Sequence, residues 1–98
     1  MSGKYGHGLA LTPQAEALTE AFLRLDGEEA LRLLLAQHGQ GRSLDDIETA
    51  TLEPALIKVG ELWLRGRVDD YWFNEFTTLA YSVERQFRVT IAMMGEGK

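Results

Sequence analysis

Asp69-Asp-Tyr-Trp-Phe-Asn-Glu-Phe-Thr-Thr-Leu-Ala-Tyr-Ser-Val-Glu-Arg-Gln-Phe-Arg-Val-Thr-Ile-Ala-Met-Met94 is the longest periodic stretch of the chain. Phe73, Phe76, Ala80, Val83, Phe87, Ile91 and Met94 recur every three or four residues, the period of a helix with one apolar face, where a strand would alternate. The helix begins at Asp69 or Asp70, because a carboxylate there accepts free backbone N–H groups and faces the positive end of the dipole. If Asp69 is the cap, Val68 is placed to staple onto Phe73. Tyr71, Trp72 and Phe73 cannot all face one core, since neighbours on a helix are turned by about 100°. At least one of them is expected at the surface or in a groove, as a candidate interaction site.

Three further helices precede this one. Thr12 opens the first, with Pro13 at a position where its missing N–H costs nothing; Leu18, Ala21, Phe22 and Leu25 line one side. Asp26 opens the second in capping-box spacing with Glu29. Leu31, Leu34, Leu35 and His38 form its stripe, and Gly39 is expected to stop it as a left-handed glycine. Ser43 opens the third, which carries Ile47, Ala50, Thr51, Leu56, Val59 and Trp63 up to Gly66. Pro54 inside it removes a donor and crowds the preceding turn, so a kink or break is expected there. Short loops make sequential helices antiparallel neighbours. The expected architecture is all-α, a four-helix bundle with a proline-kinked third helix over residues 12–94, between flexible ends at 1–11 and 95–98.

Composition narrows the function. The 98 residues are 45% hydrophobic and 26% charged, which suits one small core. With no cysteine, disulfides and thiolate metal sites are excluded, and a cytoplasmic protein is expected. No apolar run reaches the length of a membrane span. The net charge of −5 argues against nucleic-acid binding, which needs a basic surface. No nucleophile–base pair is readable, so no enzymatic activity is expected. Asp69, Asp70, Asp45 and Asp46 read as helix-start acids. His38 reads as a cation at a helix C-terminus, and His7 has no second histidine at ligand spacing.

The stretch Leu52-Glu-Pro-Ala-Leu-Ile-Lys-Val-Gly-Glu-Leu-Trp-Leu-Arg-Gly-Arg-Val68 resembles the centre of a known domain. Pro54-Ala55-Leu56, Val59-Gly60, Trp63, Gly66 and an acid-capped helix after it are similar to the helical cap of methionine synthase, corrinoid methyl-transfer proteins and cobalamin-dependent photoreceptors. The resemblance covers nearly the whole chain. It implies a non-catalytic binding or regulatory module over the upper face of a corrinoid (cobalamin), or of a related tetrapyrrole, with a separate Rossmann-type domain holding the lower face. Trp63 would be the lid, and Tyr71, Phe73, Asn74 and Glu75 would line its rim.

Two departures qualify this. The photoreceptor caps follow the tryptophan with a Glu-His pair; here Phe73-Asn74 or Asn74-Glu75 stand in its place, without imidazole. The sequence also lacks Asp-x-His-x-x-Gly, so the Rossmann-type partner is expected in trans or outside this sequence, and this chain alone is expected to bind cobalamin weakly or not at all. The competing expectation is a cofactor-free dimerisation or partner-binding module, such as a homodimer paired through an exposed apolar strip. A haem or bilin reading would rest on His38 with Met93 or Met94. Solvated surface is the default for Arg65 and Arg67, and plain core for Trp63, Phe73 and Phe76.

Overall fold

Four side chains start the helical rods in the same way, each accepting the backbone N–H three residues on. Thr12 takes it from Ala15, Asp26 from Glu29, Ser43 from Asp46 and Asp69 from Trp72. The structure is a computed structural model and describes residues 11–96; the described chain is all-α. Helix α1 is Pro13–Leu23, α2 is Gly27–Gly39, α3 is Leu44–Ile47, α4 is Glu53–Leu64 and α5 is Asp70–Ile91. A π-helical turn, Glu48–Leu52, joins α3 to α4 in one rod, and another, Ala92–Glu96, extends α5 past residue 94. Of the ends read as flexible, 1–10 and 97–98 lie outside the described residues. No described helix is long and apolar enough to cross a membrane.

The capping box at Asp26 is half made. Its own N–H is already donated to the Ala21 carbonyl, and Glu29 turns to grip Arg32 at 2.9 and 2.7 Å. The hydrogen bond from Arg32 holds the Glu29 carboxyl below its ordinary pKa.

Three helices end in the same double bond pattern, in which two successive N–H groups fold back over a left-handed residue. Gly66 supplies that residue after α4, at φ 73°, as the sequence suggests. After α2 it is Gly41, at φ 97°; Gly39 is the last helical residue. After α1 it is Leu25, at φ 54°, so the helix stops at Leu23 and does not run on to Leu25. A β-carbon at Gly39 or Gly41 would meet nothing within 4 Å, so backbone conformation alone decides what alanine does. Gly39→Ala is expected to stabilise by about 0.5–1 kcal/mol, and Gly41→Ala to destabilise by about 1–2 kcal/mol. Urea unfolding of the two variants checks both the signs and the helix boundary.

Where a kink or break is expected, the rod carries its π turn. The N–H of Glu53 donates to Glu48, five residues back, and Pro54 falls in the first turn of α4. The ladder is thus already offset by one carbonyl where proline has no hydrogen to give.

Helix α1 is central, packing on α2, on α4 and on the π turn, while α2 packs on α5. Alanines 15, 21, 30 and 55 are fully buried, and small side chains let helix axes approach closely. Leu18, Phe22, Leu34, Ile47, Val59 and Phe87 fill the core. Helices α4 and α5 diverge from the Gly66 turn, and the extents of 44 × 32 × 16 Å describe a slab.

Candidate functional site

Trp63 sits near the end of α4, three residues before the glycine that turns the chain. Gly66 donates to the Trp63 carbonyl at 2.9 Å and Arg67 to Leu62 at 2.8 Å, and these bonds fold α5 back toward the indole. Phe73, in the second turn of α5, then stacks on Trp63 with centroids 4.4 Å apart and planes 10° from parallel. The indole Nε1–H donates to Oδ1 of Asp70, the first residue of α5, at 2.8 Å. Stacking and the hydrogen bond act in different directions, so together they fix the ring. The indole itself is half-buried.

The rings continue inward. Phe73 tilts onto Phe76 at 5.6 Å, Phe76 stacks with Trp72 at 5.5 Å, and its other contact is edge-to-face with Phe22 of α1 at 5.4 Å. Each such pair contributes about 0.5–1.5 kcal/mol beyond burial. The rings between α4 and α5 therefore form a wedge, from fully buried Phe22 out to half-buried Trp63, Trp72 and Phe73.

Compared with known protein families, curated proteins and solved structures, the chain matches none.

Of the rim residues expected from the sequence, the structure brings Phe73 to the indole. Tyr71, Asn74 and Glu75 are exposed. At about 100° per residue, Tyr71 and Glu75 lie roughly 100° and 140° round α5 from Asp70, on the solvent side, while Asn74 is displaced by only about 40°. Tyr71 and Glu75 thus do not line the wedge. Of the three consecutive aromatics, Tyr71 is the surface one, 76% exposed, and Trp72 is packed.

Asp70 is the residue that sequence reasoning passed over. As the first acid of a helix it is already explained by the dipole, and nothing local shows that it reaches an indole seven residues upstream. Phe76, read as plain core, proves to be the ring on which Phe73, Trp72 and Phe22 all meet. Among the described residues no three of His, Asp and Glu converge at a metal site. His38 is half-buried in the last turn of α2. The chemistry this wedge offers is contact through ring faces and edges.

Removing the tether gives a direct check of the geometry. In Asp70→Ala the Trp63 indole N–H resonance is expected to move upfield and exchange faster with water, with that of Trp72 nearly unchanged. Identical spectra would show that the bond to Asp70 is not made in solution.

Proposed function

We propose that this chain is a non-catalytic binding module that lays the Trp63–Phe73 wedge over one face of a flat, largely apolar ligand. The ligand class is a corrinoid or related tetrapyrrole whose other face is held by a separate Rossmann-type domain, in the cytoplasm. The observation that carries this reading is the half-buried indole, oriented by Phe73 and Asp70 at the mouth of the wedge. A ring held before the ligand arrives loses little entropy on contact. The residues fit a cover and not a cobalt ligand, because the wedge presents rings and one carboxylate but no imidazole. Its task is then to keep water from the covered face and to pass the ligand's state to α4 and α5 by a shift of packed rings.

Mixing the protein with aquo-, methyl- and adenosylcobalamin, alone and with a corrinoid-binding Rossmann domain added, tests this. The visible spectrum is expected to move most in the ternary mixture, and Trp63→Ala to cancel the change. Unshifted spectra in every mixture, with cobalamin eluting free on gel filtration, would reject the reading.

Exposed Leu64 and Tyr71, near the ends of α4 and α5 that the Gly66 turn joins, favour a second reading, a cofactor-free partner-binding surface. That reading expects Leu64→Ser with Tyr71→Ser to abolish an association that no cobalamin affects.

A further inference from the structure

On α5 and the π turn that extends it, the outer surface beyond the wedge carries Tyr81, Arg85 and Val89 of the helix and Met93 of the turn, four residues apart and all exposed, Met93 by 80%. Residues at this spacing form a continuous ridge on a helix. The opposite face of α5 already supplies the core through Phe76, Ala80, Val83 and Phe87, so the ridge is a second, largely apolar stripe that no described residue covers. A surface helix ordinarily turns charged and polar groups that way.

Across the slab, α1 and α4 leave a groove of about 700 Å³ between them. Half-buried Ala17, Leu23 and Leu62 line it together with exposed Glu16 and Glu20. Lys58 also lines it, ion-paired with Glu61 at 3.7 Å, so the groove keeps an acidic excess. On the ridge, Arg88 is occupied by Glu48 at 2.7 Å and Glu84 at 3.4 Å, which leaves Arg85 as the cation to answer Glu16 and Glu20.

We propose that the α5 ridge of one copy seats in the α1–α4 groove of a second copy, with Arg85 facing Glu16 and Glu20. Shape and charge both fit this occupant. A ridge of residues at four-residue spacing is what packs between two helices, and α5, of 22 residues and about 33 Å, is longer than the 11-residue α1 that lines the groove. Groove and ridge lie on different helices at separate parts of the slab, so the contact is head-to-tail and each added copy presents a fresh groove or ridge. The interface is distinct from the aromatic wedge and does not depend on its ligand.

Sedimentation velocity over a concentration series, with no cobalamin present, tests the proposal. The weight-average mass of the native chain is expected to climb past that of a dimer. Ala17→Glu, which fills the groove with acid, and Arg85→Glu with Val89→Glu, which spoils the ridge, should each weaken self-association by about tenfold or more. Mixed, the two variants should form a 1:1 pair that grows no further, since each keeps one intact half and the spoiled halves repel. Circular dichroism verifies folding. If Ala17→Glu unfolds the chain, the exposed variant Glu16→Lys with Glu20→Lys takes its place and should likewise regain association on mixing. A native chain that stays monomeric, a plain dimer indifferent to Ala17→Glu, or variants that do not pair would each overturn the proposal; the second outcome would point to symmetric α5–α5 pairing.

Discussion

Phe22→Ala is expected to destabilise the chain by about 3–5 kcal/mol, the range for removing a fully buried aromatic ring. Phe22 has no exposed surface, and its ring meets Phe76 edge-on at 5.4 Å. Its helix packs on α2, α4 and the π turn at once, so no single neighbour can move into the space without leaving another contact. Cavities that cannot collapse lie at the costly end of the range. Whole domains are stable by only about 5–15 kcal/mol, so this one change removes a large share. Urea unfolding reads it as a fall in the midpoint at near-constant slope. A midpoint close to the native value would mean that α1 does not lie at the centre of the core.

The second large effect concerns a polar cluster inside the core. Gln37 of α2, 3% exposed, accepts from the fully buried Thr51 hydroxyl at 2.9 Å and from the Arg42 guanidinium. Gln37→Leu strands the Thr51 hydroxyl in an apolar site, at a cost of about 1–3 kcal/mol. Arg42 loses less, because Asp46 still holds it at 2.9 Å in partly exposed surroundings. Adding Thr51→Val removes the stranded hydroxyl, so the double variant is expected to be more stable than Gln37→Leu alone. A coupling of about 1–2 kcal/mol follows for neighbours that share one bond. Unfolding the native chain, both singles and the double closes the cycle; strictly additive costs would mean that the bond does not form.

The all-α class and the helix starts were legible because both are local. Thr12, Asp26, Ser43 and Asp69 each bond a backbone group three residues away, and that spacing can be read without knowing the fold. Helix ends were harder. Gly39 and Gly41 differ only in which one the chain turns left-handed, and Leu25 adopts a conformation that its side chain disfavours. The apolar pattern also missed the buried line of α2, which runs through Ala30, Leu34 and Gln37, while Leu31, Leu35 and His38 are only half-buried. A glutamine belongs inside only when Thr51, fourteen residues on, supplies a donor. In the wedge, Trp63 and Phe73 were singled out from their residue types and the family resemblance. Their stacking, the bond to Asp70, and the turning away of Tyr71 and Glu75 depend on how the Gly66 turn aims α5.

The five-residue spacing at Glu48–Leu52 means that this rod contains one more residue than an uninterrupted α-helix would need over the same path. That surplus residue sets the rotational phase between the rod's two ends: Ile47 points into the core at one, and the Trp63 indole meets Phe73 at the other. Regularising the turn with every residue kept would swing everything downstream through about 100°, whereas excising Ala50 would restore the ladder with the phase nearly intact. The aromatic wedge is therefore assembled by an irregularity more than ten residues away from it, and a chain regularised there with every residue kept would lose the Trp63–Phe73 stack.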